Sequence, residues 1–155
     1  MAFARQKGLD ISFIEEMPLG IVNDHDRAYT YYSSDQILDD LRRHYTLTPT
    51  TESTGGPSRY YRMTDSPTRI GFISPHSHNF CASCNRVRLT AEGRLLLCLG
   101  QEHSVDLRRI VRDNACSPES LSQAIISSMA IKPKGHDFDL AEQPVIFRHM
   151  NHTGG

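Results

Sequence analysis

The chain has no apolar run long enough to cross a membrane as a helix. Such a span needs ~18–20 residues, and the longest stretch, around Leu95–Leu99, is strand-sized. It has no excess of basic charge either. Lys and Arg number 17 against 18 Asp and Glu, for a formal net charge of −1. No overall positive field therefore argues for nucleic acid, and any anion recognition has to come from a local arrangement. The opening Met1-Ala2-Phe3-Ala4-Arg5-Gln6-Lys7-Gly8 lacks the apolar core of a secretory signal. The expectation is a cytoplasmic protein with neither nucleic acid nor membrane as a partner. Cysteine is scarce, with four in 155 residues, three of them close together. With nothing suggesting secretion, such a cluster points to metal rather than to two disulfides. The eight histidines are scattered rather than gathered in a tract, and read as surface residues. Hydrophobic residues make up 38% and charged residues 23%, the ordinary balance of a chain that folds. The length suits one domain with a modest core, or part of a larger one. There is no internal repeat.

The chain opens on a helical composition, Ala2–Lys7, and Gly8 is a good residue just past a helix end. Leu9–Glu15 then alternates apolar and polar, as a half-buried strand does, and Met17-Pro18-Leu19-Gly20 ends it in a loop. Helix, turn, strand and loop make one αβ step of the kind that builds parallel sheets and barrels. One step alone cannot bury both faces of a parallel strand, so partner strands lie elsewhere or the chain is a fragment. Residues 20–32 read as a polar loop. Ser33-Ser34-Asp35-Gln36 is a helix start, with Ile37, Leu38, Leu41 and Tyr45 on one face. Thr48–Arg59, rich in Thr, Ser, Pro and Gly, reads as a loop. Four strands are expected at Arg59–Met63, Arg69–Ser74, Arg86–Thr90 and Arg94–Leu99, the last two joined through Ala91-Glu92-Gly93 as a hairpin. Helical spacing returns from Asp106 through Leu107, Ile110 and Val111. A further helix starts at Ser117-Pro118-Glu119 and is expected to bury Leu121, Ile125 and Met129. The tail from Lys132 is polar and irregular.

The informative segment is Phe80-Cys81-Ala82-Ser83-Cys84-Asn85-Arg86-Val87-Arg88-Leu89-Thr90, with Cys98 on the return strand. Two cysteines two residues apart reach one metal from a single turn, and a hairpin brings the third back beside them. Three thiolates suit zinc or iron–sulfur iron. Both readings stay open on spacing alone: His103 would complete a Cys3His zinc set, whereas a cluster held by three cysteines leaves one iron open. Cys116, eighteen residues past Cys98 and beyond an expected helix, is a poor fourth ligand. Unligated core cysteines are the bland alternative. Arg86 and Arg88, two apart on an expected strand, would project together. Such a pair forms forked bonds to phosphate or carboxylate. An arbitrary pair would more often be a solvated face with acidic neighbours, but beside three metal-spaced cysteines the anion site is preferred.

These residues resemble the C-terminal half of the molybdenum cofactor biosynthesis protein A family, radical S-adenosylmethionine enzymes that act as GTP 3′,8-cyclases. The match is carried by Cys81-x2-Cys84-Asn85-Arg86-Val87-Arg88-Leu89-Thr90 with Gly93 and Cys98-Leu99. It is supported by Phe13-Ile14-Glu15-Glu16-Met17-Pro18-Leu19-Gly20, by Gly71-Phe72-Ile73-Ser74-Pro75 and by the terminal Gly154-Gly155. The resemblance implies an α/β chain: residues 1–45 as the last strand and helix of a truncated radical-SAM TIM barrel, and 46–155 as a small α+β auxiliary-cluster and GTP-binding domain. Cys81, Cys84 and Cys98 would bind a [4Fe–4S] cluster with one open iron facing the guanine of GTP. Arg86, Val87 and Arg88 would line the GTP site, with Arg86, Arg88, Gly154 and Gly155 as catalytic residues. Met17 would contact S-adenosylmethionine, and Gly154 and Gly155 would reach into the active site. Unaided, Met17 reads as a packing residue and the two glycines as a terminus. In the complete family enzyme a 5′-deoxyadenosyl radical takes hydrogen from the GTP ribose, and ring closure on guanine C8 gives 3′,8-cyclo-7,8-dihydro-GTP. The Cys-x3-Cys-x2-Cys motif that cleaves S-adenosylmethionine is not found in this sequence. The chain alone is therefore expected to lack turnover; its expected partners are GTP and a separate N-terminal half or a homodimer partner. Two rivals stand: a non-enzymatic zinc module with an arginine anion-binding face, and an electron-transfer protein that needs no GTP.

Overall fold

The computed structural model describes residues 1–113, 117–142, 146 and 148. The chain divides into two units, one of Met1–Met17 with Tyr29–Phe80 and one of Pro18–Ala28 with Cys81–Gly155. Both mix helices with short sheets, a small α+β arrangement.

The first unit is a four-stranded sheet with two helices. Helix α1 (Ala2–Lys7) stops at Gly8, and strand β1 (Ile11–Ile14) follows. As its alternation requires, β1 turns Ile11 and Phe13 inward and leaves Ser12 and Ile14 exposed. A single turn, α2 (Arg27–Thr30), interrupts the expected loop of 20–32. Helix α3 (Ser34–Arg42) starts where its cap residues predict: the Ser33 hydroxyl accepts the Gln36 N–H, and the Gln36 side chain accepts the Ser33 N–H. Strands β2 (Leu47–Pro49), β3 (Arg59–Met63) and β4 (Arg69–Ile73) complete the sheet, in the order β1-β4-β3-β2. The partner that β1 lacks locally is thus β4, which runs parallel to it in the register Ile11↔Ile70 to Ile14↔Ile73. Asp10 fixes one end of that register by accepting the Arg69 backbone N–H and Nε, both at 2.9 Å. Strand β2 corrects the loop expected from Thr48. Pro49 is tolerated because β2 is an edge strand, where a missing N–H costs no second partner. The core gathers Leu38, Met63, Ile70 and Phe72, with Ile37, Leu41 and Tyr45 packed on it.

The second unit carries the cysteines. A 3-10 turn at Cys81–Ser83 leads to an antiparallel meander of β5 (Arg88–Leu89), β6 (Arg94–Leu96) and β7 (Ser104–Asp106). The hairpin turns as expected at Gly93, whose φ of 80° is left-handed backbone that a side chain would strain. The strands are shorter than expected, however: pairing covers only Arg88↔Leu96 and Leu89↔Leu95. Strand β7 has no counterpart among the expected strands. Asp106 caps α4 (Leu107–Val111), its carboxylate accepting the Arg109 N–H at 3.0 Å. Ser117 caps α5 (Pro118–Ser128) in a box with Ser120, with Pro118 as the first helical residue. Leu95, Leu97 and Leu107 form the core, and Leu121 packs on it from the first turns of α5. The expected burial of Ile125 and Met129 does not occur. They are 39% and 40% exposed, because α5 meets this core only near its start. No helix among the described residues is long and apolar enough to cross a membrane.

Candidate metal and anion site

The 3-10 turn brings the Cys84 N–H to the Cys81 carbonyl at 3.1 Å, so the Cys-x2-Cys pair shares one turn. Cys98 lies two residues past β6 on the return limb of the hairpin. All three are half-buried in one unit, and none is in a disulfide. Burial raises the Cys98 thiol above its ordinary range. The Gly100 N–H and the Lys132 charge pull it back, while negative charge on Cys81 or Cys84 pushes it further up. Among the described residues, no three His, Cys, Asp or Glu side chains are gathered as a single metal ion needs, and His103 of the zinc alternative is exposed.

Arg86 and Arg88 follow directly. Only Arg88 belongs to β5, so strand alternation does not place both side chains on one face as expected. Arg86 is exposed and Arg88 half-buried, and neither forms an ion pair among the described residues. Val87 between them is 38% exposed. Met17 closes the first unit's opening segment and is half-buried. Gly154, Gly155 and Cys116 lie outside the described residues.

Two groups escaped the sequence reading. The first is the segment from Lys132 to Phe138, which frames the cysteines. The Lys132 ammonium donates to the Arg86 carbonyl at 2.8 Å and the Leu97 carbonyl at 2.5 Å. A Cβ added at Gly135 would lie 3.8 Å from the Cys81 Cβ. Gly100 is packed so closely that an added Cβ would sit 2.7 Å from both His136 and Phe138. Nothing in an aperiodic polar tail announces this arrangement. The second is Glu15, which is 2% exposed in the first unit. Its carboxylate accepts the N–H groups of Ser34 and His76 at 2.9 Å and of Ser77 at 3.1 Å, and also the Ser77 hydroxyl. Burial opposes its ionisation, but these donors prevail and hold it at about 2. Burial, together with the Glu15 charge, raises Tyr31 to about 12.

Three half-buried cysteines and two arginines without an ion pair among the described residues thus lie close together in sequence within one unit. The chain belongs to the Molybdenum Cofactor Synthesis C family, whose model matches residues 9–138. It is 59% identical over 156 residues to the GTP 3′,8-cyclase of Pseudomonas savastanoi pv. phaseolicola, an alignment covering 100% of this chain and 47% of that protein. It is 58% identical over 153 residues to the enzyme of the same name from Marinobacter nauticus, covering 99% of this chain and 46% of that one. With the corresponding protein of Saccharophagus degradans the identity is 57% over 153 residues, covering 99% of this chain and 46% of that protein. The chain thus spans about half the length of these relatives and corresponds to their C-terminal part, as the resemblance in Cys81–Thr90 implied.

Proposed function

We propose that this chain is the cluster- and nucleotide-binding portion of a GTP 3′,8-cyclase in molybdenum cofactor biosynthesis. The observation that carries the reading is the grouping of Cys81, Cys84 and Cys98 in one unit beside two arginines without carboxylate partners among the described residues. The donor set fits an iron–sulfur cluster. Its sulfurs are half-buried, and the Gly100 N–H bonds to Cys98 in the manner that stabilises a coordinated thiolate. When bound, a [4Fe–4S] cluster held by three thiolates supplies an iron free to take a donor atom of guanine.

The chain's own contribution is recognition and placement. Arg86 and Arg88 bind and orient the anionic nucleotide, with Val87 lining the same run. Their charge is permanently on and forked, which suits phosphate oxygens. Met17 contacts S-adenosylmethionine in the complete enzyme, and Gly154 and Gly155 approach the substrate with bare backbone. Residues 1–45 are the closing helix–strand step of a radical-SAM barrel, and 46–155 are the auxiliary domain. The cluster that starts radical chemistry belongs to the N-terminal part of the complete family enzyme, which this chain does not cover; a separate N-terminal half or a second copy of this chain is a further partner. This chain has no turnover alone, and it works in the cytoplasm.

The test is anaerobic reconstitution of the chain with iron and sulfide, followed by visible absorption, metal analysis and addition of GTP. About four irons per chain and a spectrum that responds to GTP are expected. Stoichiometric zinc without iron uptake would make the cysteines a structural zinc site. A loaded cluster indifferent to GTP would leave an electron carrier.

A further inference from the structure

The β5–β6 ladder ends at Arg88↔Leu96. Continued in the same register, it would set Arg86 opposite Cys98, but the pairing stops short. At that point the Lys132 ammonium takes over, donating to the carbonyls of Arg86 and Leu97. One carbonyl belongs to the residue two past Cys84, and the other to the residue before Cys98. A single cation therefore spans the two limbs that carry these cysteines, where strand hydrogen bonds no longer hold them at a fixed spacing. Leu97 is fully buried, and its N–H is held by the His103 carbonyl at 3.1 Å, so the limb the lysine grips is anchored on its other side. The short 3-10 turn Met129–Ile131 delivers Lys132, and Pro133 comes directly after it, limiting the backbone freedom of this segment.

We infer that Lys132 is a positioning residue for the metal centre: it sets the opening between the Cys84 and Cys98 limbs and places a fixed positive charge beside the Cys98 sulfur. This rests on the cluster reading of the three cysteines. A ladder extended to Cys98 would draw the limbs to strand spacing, about 4.7–4.9 Å. A lysine donating to both carbonyls instead ties the limbs through one ammonium group, at a spacing set by its bonds of 2.8 and 2.5 Å, while satisfying both acceptors. The same charge offsets part of the negative charge of a thiolate-bound cluster, which favours the reduced form.

The test compares the wild-type chain, Lys132→Met, Lys132→Arg and the exposed control Lys134→Met after reconstitution with iron and sulfide. Iron release to a chelator and the reduction midpoint followed by electron paramagnetic resonance are the readouts. Expected for Lys132→Met is iron release faster by about tenfold, the scale on which outer-shell partners act on metal sites, with a more negative midpoint. Lys132→Arg, which keeps charge and donors, recovers most of the wild-type midpoint, and Lys134→Met behaves as wild type. Circular dichroism of the metal-free chains separates loss of the site from loss of the fold. If Lys132→Met does not fold, Lys132→Gln, which keeps a donor without the charge, is expected to shift the midpoint in the same direction. Wild-type loading combined with unchanged release and midpoint in the neutral variant overturns the inference alone. Failure of the wild-type chain to take iron overturns both it and the cluster reading.

Discussion

The Glu15 carboxylate accepts the Ser34 backbone N–H at 2.9 Å, so the residue just past β1 also holds the start of α3. Its second oxygen takes the N–H groups of His76 and Ser77 from the turn after β4. Three pieces of backbone far apart in sequence are thereby tied to one buried charge. Negative charge at a helix N-terminus is also favoured by the helix dipole.

Acid stability of the first unit should follow Glu15. The group sits at about 2 in the folded chain against an ordinary 4.5. Its contribution is therefore complete above about pH 4.5 and is lost as pH falls toward 2. The size is on the order of 3 kcal/mol. Glu15→Gln, which turns an amide donor toward the surrounding N–H groups, should lower stability at pH 7 and flatten the loss between about pH 5 and pH 3. Denaturant unfolding of both chains across that range is the measurement. Parallel curves for the two would remove Glu15 from this role.

Arg86→Ala and Arg88→Ala should each weaken GTP binding to the reconstituted chain by about tenfold or more, the loss of one charge-assisted contact to phosphate. Iron content should stay at the wild-type value, because neither side chain is needed as a ligand. Titration calorimetry reads the first quantity and metal analysis the second. Unchanged GTP affinity in the double variant would mean that the two guanidinium groups are plain surface.

Cys98→Ala should abolish stable iron uptake, while Cys116→Ala should leave it intact. Of the three clustered cysteines, Cys98 alone stands on the return limb of the hairpin, so without it two thiols on one turn remain. Iron and sulfide per chain after desalting decide the matter. Iron loss on replacing Cys116 would make it a ligand after all.

Much of this architecture could be read from the sequence, for identifiable reasons. Arg59–Met63 stands out because aromatic residues come after a Gly-Pro loop, and α3 because Ser33 and Gln36 form a reciprocal cap. The cysteine–arginine block is local, so its spacing survives without knowledge of tertiary structure. Strand lengths in the hairpin are less legible. Alternation suggests pairing through Arg86, but pairing stops at Arg88↔Leu96, where the Lys132 ammonium takes the carbonyls of Arg86 and Leu97. Lys132 leaves no signal, since a lysine between a short turn and a proline has no period to betray it. Glu15 does leave one: Ile11, Phe13 and Glu15 share the inward face of one strand, and a carboxylate in the third inward slot calls for buried donors.

The hairpin turn is also the platform for α4, and this predicts a cost for filling Gly93. Its carbonyl accepts the N–H groups of Leu107 at 3.0 Å and Arg108 at 3.1 Å, so turn and helix start are joined. Gly93→Ala meets two obstacles: a φ of 80° and an added Cβ 2.8 Å from the Arg108 Cβ. A loss of about 1–2 kcal/mol is expected from backbone strain alone, with further loss if α4 is displaced. Thermal unfolding of the metal-free chain is the measurement. A melting temperature equal to wild type would show that the turn relaxes freely.

Gly100→Ala should separate packing around the cysteines from their chemistry. The new methyl would sit 2.7 Å from the His136 Cβ and from the Phe138 ring, which itself stacks on His136 at 4.1 Å. Relief requires either that the segment carrying His136 and Phe138 move away or that the Gly100 backbone shift. A backbone shift would take its N–H from the Cys98 sulfur. Overpacking of this kind costs about 1–3 kcal/mol, and the two routes affect iron retention differently. Movement of the His136–Phe138 segment lowers the melting temperature but leaves iron retention near wild type. Movement of Gly100 also removes a hydrogen bond from the Cys98 sulfur and, on the proposed cluster reading, speeds iron loss. The second outcome is expected, because the stacked pair presents two rigid rings while residues 100–103 form an irregular connection to β7. Equal melting temperature and equal iron retention would show that neither contact constrains the site.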